Sequence, residues 1–166
     1  MSQRDRLLAR PRPSTTYTLR VEDDTEQRRR LEDARRVLHL LQAQGDEADQ
    51  GALTAAREEL DQAEEELEAC YEHIVLRAMR PRDFETLIAE HPAREGTEDK
   101  AWNVATFPEA CFLACAEGEM SAADWEQFLA GNVSDVERAD LYTEAIRVNA
   151  RLPVATLPKD WMQTRS

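Results

Sequence analysis

Apolar positions change their spacing several times along this chain, and each change marks an element. Over residues 15–21, Tyr17, Leu19 and Val21 alternate with Thr16, Thr18 and Arg20, the period of two expected of a strand with one buried face. From residue 24 to 44 the period lengthens. Leu31, Ala34, Leu38 and Leu41 recur at steps of three and four while Arg28-Arg29-Arg30 falls mainly off that stripe, which predicts an amphipathic helix. Residues 45–51, rich in Asp and Gly, end it. A second helix is predicted over 52–71, where Leu53, Ala56, Leu60, Ala63, Leu67 and Cys70 form a heptad seam that Ile74 continues in register. Two helices of about 20 residues on a short polar linker cover each other's stripes most economically as an antiparallel hairpin roughly 30 Å long. Residues 74–79 return to strand-like composition and can pair with residues 15–21, so the coiled coil reads as an insertion between two strands. A two-stranded sheet is marginal by itself in water, so it is expected to lie on the helices that follow.

Those helices are marked by their ends. Pro81 opens a segment in which Phe84, Leu87 and Ile88 share a face, and His91-Pro92 closes it. Residues 93–100 form a polar loop. Thr106 is the predicted N-cap of the most apolar helix, which carries Phe107, Ala110, Phe112, Leu113 and Ala114 and ends near Gly118. Ser121 with Asp124, and Ser134 with Glu137, have the spacing of capping boxes. The first opens a helix bearing Trp125, Phe128 and Leu129 that stops at Gly131. The second leads a helix through Val136, Leu141, Ala145, Ile146 and Val148 to Pro153. The predicted fold is thus mainly α. It comprises a disordered basic tail (1–13), a small helical domain with a two-stranded antiparallel β element (14–23 and 73–152), an inserted antiparallel helical hairpin (24–72), and a flexible C-terminal tail (153–166).

Charge narrows the function classes. The 166 residues carry 34 acidic and 21 basic side chains, a formal charge of −13, which repels phosphate backbones and anionic membrane surfaces. Neither nucleic acid nor membrane is therefore an expected partner. The exception is the N-terminal segment, where Arg4, Arg6, Arg10 and Arg12 are opposed only by Asp5 and Pro11-Arg12-Pro13 resists regular structure. No stretch approaches the roughly 20 apolar residues of a membrane span, and no apolar secretion signal is visible at the start, so a cytosolic location is expected. Cys70, Cys111 and Cys115 lack the density of a disulfide framework and read as free thiols.

The constellations that carry chemistry are weak. Cys70-x-x-His73 and Cys111-x-x-x-Cys115 supply four zinc-ligand types, but the first cysteine falls on the heptad seam and the other two lie in a small-apolar helix, where cysteine behaves as a small hydrophobe. His39, His73 and His91 are far apart in sequence, and no Gly-x-Ser-x-Gly elbow or phosphate-cradling glycine loop accompanies them. No metal, cofactor or catalytic residue is nominated, and an enzyme is not expected. The glutamate runs 58–59 and 64–66 read as a solvated face. Aromatic residues are more informative, because a chain only 6% aromatic concentrates Trp102, Phe107, Phe112, Trp125 and Phe128 within a few helices. Most are expected in the core. Trp102, Phe107, Trp125 and Phe128 are the candidate partner-binding residues, Trp102 foremost because it adjoins a polar loop.

The run from Ala101 through Trp102-Asn103-Val104-Ala105-Thr106-Phe107-Pro108-Glu109 to Ala110, then Ala114-Cys115-Ala116 and the acidic-aromatic helix 121–129, resembles the tail assembly chaperones of long-tailed phages that infect actinobacteria. Residues 74–81, Phe84-Glu85-Thr86-Leu87-Ile88, His91-Pro92 and a last helix ending Val148-Asn149 follow in the same order, so the resemblance spans residues 14–152. It implies a cytoplasmic protein of the infected host that binds the long helical tape-measure protein, promotes polymerisation of tail-tube subunits around it, and is left out of the finished virion. Many members of that family are also made in a longer form by ribosomal frameshifting. The alternative reading is a structural or regulatory coiled-coil adaptor or scaffolding protein that self-associates through the seam at residues 53–74.

Overall fold

The computed structural model describes residues 1–45 and 49–150. The protein is mostly helical, with seven helices among the described residues and a small three-stranded antiparallel sheet in the order β1-β2-β3. None of these helices is long and apolar enough to cross a membrane. Contacts divide the chain into two units, one of Met1–Tyr17 with the chain from Ile74 onward, the other of Thr18–His73. The expected tail at 153–166 lies outside the described residues.

The second unit is built on α2 (Thr25–Ala43) and α3 (Gln50–Glu68), which pack on each other through Leu31, Ala34 and Ala63, with Leu60 and Leu67 against them. Asp49 caps α3 by accepting the Gly51 N–H at 3.0 Å. Polar rims reinforce the contact. Arg30 reaches Glu59 at 2.8 Å and also pairs with Glu66, and Arg35 meets Glu64 at 3.2 Å. Helix α3 stops at Glu68, so Cys70 and Ile74 leave the heptad that sequence spacing extends through them. Tyr71, Ile74 and Val75 favour the extended backbone of β2 (Tyr71–Arg77) over a further helical turn. Near the start of α2, Asp24 is only 2% exposed. It accepts from Arg20 at 3.1 Å, from Arg28 at 2.5 Å and from the Tyr71 hydroxyl. These bonds, the Tyr71 hydroxyl first and Arg28 next, hold the Asp24 carboxyl well below the ordinary carboxylate range against the opposing effect of burial.

Strand β1 (Ser14–Arg20) turns Tyr17 and Leu19 inward and Thr16 and Thr18 outward, as its alternation predicts. Val21 departs from the pattern. It lies beyond the strand, is half-exposed, and gives its N–H to the Cys70 carbonyl. The basic segment before β1, expected to lack regular structure, contains helix α1 (Gln3–Leu8). Ser2 and Asp5 form a capping box there, each side chain bonded to the other's backbone N–H at 3.2 Å, and this local device outweighs the composition.

In the other unit, α4 (Pro81–Glu90) opens on its proline, and α5 (Phe107–Cys115) supplies the centre of the core: Phe107, Cys111, Phe112 and Cys115 are all closed to solvent. Helix α5 is shorter than its composition predicts. Ala116 turns to extended backbone, and Ala116–Glu117 forms β3, paired antiparallel with β2 through Leu76↔Ala116 and Val75↔Glu117. The expected two-stranded sheet thus has a third member, held additionally by an Arg77–Glu117 fork and released at Gly118, whose φ of 141° suits glycine. Helices α6 (Ala122–Gly131) and α7 (Asp135–Ala150) begin at the two capping boxes read from the sequence. Asp124 and Glu137 each accept the serine backbone N–H, at 2.9 and 2.8 Å. Helix α7 packs on α5 and buries Leu141, Ala145 and Val148.

Candidate functional site

Helix α5 carries an aromatic cluster at each end of its buried face. At its start, Phe107 is completely covered: Phe84 of α4 meets it edge-on at 5.9 Å between centroids, His91 at 6.3 Å, and Trp102 stacks on it at 4.6 Å with planes 29° apart. One turn further on, Phe112 receives Trp125 perpendicularly at 5.3 Å and the tilted ring of Tyr142 at 6.2 Å, and Trp125 in turn meets Phe128 at 5.7 Å. Such edge-on and offset arrangements are the favoured geometries of ring pairs.

The four partner-binding candidates therefore fall into two groups. Phe107 has no exposed surface and Trp125 only 7%, so both serve the core and no partner reaches Phe107 in the folded chain. Trp102 and Phe128 are half-buried, each resting on one of those core rings with part of its surface open. Periodicity could not separate the pairs, because a ring that fills a core and a ring that lies over it carry the same sequence signal.

The segment holding Trp102 is a constructed loop. Asp99, its side chain 1% exposed, accepts the Arg94 guanidinium at 2.7 and 3.1 Å, the Arg94 N–H at 3.1 Å and the Val104 N–H at 3.4 Å. Arg94 is the main cause holding the Asp99 carboxyl well below its ordinary range, and burial opposes it. The ends of the loop are tied by Asn103 N–H to the His91 carbonyl at 2.9 Å and by a 2.8 Å bond between His91 Nδ1 and Thr106 Oγ1. Thr106 is thus not the side-chain cap that its position suggests, since its hydroxyl serves His91 instead. Loops that are short between their ends and held from within are frequent carriers of function. This one presents Val104, 57% exposed, beside Trp102.

Next to it, α4 is the most strongly amphipathic short helix, yet none of its residues is fully buried: Phe84, Leu87 and Ile88 remain partly open. The candidate site is Trp102 and Phe84, both packed on Phe107, taken together with the partly open Leu87 and Ile88 of α4 and the exposed Val104 of the loop. The α4 face was legible as a three-four repeat. Val104 and the Arg94–Asp99 anchor were not, because nothing in a polar loop's composition marks which carboxylate turns inward. Among the described residues, no group of three or more His, Cys, Asp or Glu side chains is placed to hold a metal ion. Cys70 and His73 lie in one unit and Cys111 and Cys115 in the other. Neither family models, curated proteins nor solved structures match this chain.

Proposed function

We propose that this protein is a phage tail assembly chaperone that works by binding and not by catalysis. It engages apolar helical segments of the tape-measure protein through the surface of α4 and the loop at 92–106, and promotes tail-tube polymerisation around that client in the host cytoplasm. The observation that carries the reading is the half-buried Trp102 stacked on Phe107, in a loop held by the inward-turned side chain of Asp99. An apolar helix is recognised by a preformed apolar surface with side-chain anchors at helical spacing. The formal charge of −13 fits a carrier that keeps an apolar client in solution. Many weak contacts along one long client give stable coverage while each copy stays displaceable by tube subunits.

Helices α2 and α3 are read as an antiparallel hairpin. Their direct contact, with Arg30 pairing to Glu59 and Glu66 and Arg35 to Glu64, supports that reading. So do the few residues of sequence between Ala43 and Gln50, too short to carry the chain back along a helix. Cysteines placed at 38 and 60 in a background lacking Cys70, Cys111 and Cys115 are expected to link within one chain; links only between chains would remove the hairpin.

The second reading, a coiled-coil adaptor or scaffold that self-associates, draws on Val37 and Leu40, which are 51% and 59% exposed on α2. Co-expression with a tape-measure protein separates the two. Trp102→Ala and Val104→Asp, each confirmed as folded, are expected to let the client precipitate while Val37→Glu with Leu40→Glu keeps it soluble. The reverse pattern assigns the client to α2 and sinks the proposed site.

A further inference from the structure

Helix α1 is formed yet buries none of its residues, and Leu7 and Leu8 are 63% and 71% exposed. The root of the segment is fixed. Arg12 donates to the Ala78 carbonyl at 3.0 Å, and Ala78 gives its N–H to the Pro13 carbonyl at 2.8 Å. Past the helix the turn continues, with the Ala9 N–H on the Asp5 carbonyl at 2.9 Å and the Arg10 N–H on the Leu7 carbonyl at 3.3 Å. Arg6, Leu7 and Arg10 thereby line one open concavity. Arg4 pairs with Asp5, but Arg6 and Arg10 make no ion pair among the described residues.

Charge selects what covers this segment. Residues 1–13 hold four arginines and one aspartate, a net +3 in a chain of −13, which leaves −16 on the remainder. A complementary surface lies on α3. Its Glu59, Glu64 and Glu66 pair with arginines of α2, and Glu68 pairs with His73. Glu58, Asp61 and Glu65 are exposed and make no ion pair among the described residues. Steps of three and four put these three carboxylates on one face, opposite the buried Leu53, Ala56 and Ala63. That face leads into a second open concavity, where Glu65 and Glu68 stand beside Ala69 and the partly buried Tyr71.

We propose that the α1 segment of one chain docks on the outward face of α3 in a second copy. Two guanidiniums one turn apart meet three carboxylates spread over about 10 Å of helix. Leu7 and Leu8 gain from Ala69 and Tyr71 the apolar cover that their own chain does not provide. The two surfaces differ, so the contact is heterologous and passes from copy to copy into an open row. A six-residue helix covers well under the about 1,000 Å² of a stable interface, and exposed ion pairs each contribute little. The contact is therefore weak between free chains and fills when copies are held side by side. It leaves Val37 and Leu40 uncovered, and it does not depend on the client proposed above.

Sedimentation equilibrium of the native full-length chain tests the contact. In low salt the average mass is expected to rise with concentration up to about 1 mM, the effective concentration of tethered copies. In about 1 M salt, where screening acts within about 3 Å, it should return to that of one chain. Arg6→Glu with Arg10→Glu should weaken association at least about tenfold, as should Glu58→Arg with Asp61→Arg and Glu65→Arg. Mixing the two variants should restore it, because each then supplies the charge that the other lacks. Circular dichroism establishes that both are folded. If the α3 variant is not, Glu58→Gln with Asp61→Asn and Glu65→Gln takes its place and is expected to weaken association in the same direction. A wild-type chain that stays monomeric throughout, charge-reversed variants that associate as wild type does, or folded variants whose mixture stays apart would overturn the proposal. Loss of association in Val37→Glu with Leu40→Glu alone would assign the contact to α2. A monomeric chain that binds phosphatidylserine vesicles through Arg6 and Arg10 would assign α1 to a lipid surface, and either result removes the second copy as its partner.

Discussion

Where α2 meets α3, the closed cluster is two alanines, Ala34 and Ala63, around a single leucine, Leu31, with no aromatic ring, and charged residues pair across its rim. Where α5 meets its neighbours the closed side chains are large, Phe107 and Phe112 with Leu76 and Leu141. Small seam residues bring two helices close and spread stabilisation thinly over many contacts and ion pairs. Exposed pairs of this kind each contribute little. Aromatic packing concentrates stabilisation in a few rings whose loss no neighbour can fill. The first kind of interface is vulnerable to enlargement and the second to truncation.

That contrast can be broken from either side. Phe112→Ala is expected to have the largest effect, a loss of about 3–5 kcal/mol in a denaturant titration, because the ring is wholly buried between Trp125 and Tyr142. A loss under about 1 kcal/mol, the range of surface substitutions, would mean that α5 is not the centre of the core. Ala63→Leu should come next, at about 1–3 kcal/mol, since Ala63 has no exposed surface and lies in the cluster with Leu31 and Ala34 of the facing helix. A neutral outcome would show the helix pair to be loosely packed and would dissolve the comparison.

The smallest effect lies in the acid limb of stability and sharpens the account of the second unit. Asp24 is depressed in the folded chain, so its contribution is present above the unfolded carboxylate value and fades as pH falls below about 4. Asp24→Asn should therefore melt at a lower temperature than wild type near neutral pH, and the gap should narrow on acidification. A constant gap would mean that the hydrogen bonds of Tyr71, Arg28 and Arg20 to this carboxylate do not depend on its charge.

Most of the secondary structure was legible because it rests on local spacing. The three-four repeats of α2 and α3, the alternation at Tyr17 and Leu19, and the Ser121 and Ser134 capping boxes all act within a few residues. What escaped depends on partners far along the chain. Strand β3 is two residues long and exists only because Val75 and Leu76 offer it an edge. Thr106 has good N-cap chemistry, but its hydroxyl is engaged by the ring of His91, 15 residues earlier. Helix α1 is the opposite case, a purely local capping box overlooked because arginine and proline dominate the composition around it. At the candidate site, the apolar face of α4 could be read directly. The inward turn of Asp99, and the division of four aromatic residues into covered and open, could not.

The Arg94–Asp99 anchor has a consequence for the timing of any encounter. A loose loop must be ordered as its partner arrives, at roughly 0.5–1.5 kcal/mol for each side chain immobilised, and that ordering is undone each time the partner leaves. Here Asp99 holds the Arg94 and Val104 backbone from inside, and Asn103 is tied to His91, so the shape is set when the chain folds. Contacts made by Trp102 and Val104 then act with little ordering cost to offset them, and Asp99→Ala should shorten the residence time of a bound segment without removing a single side chain that touches it.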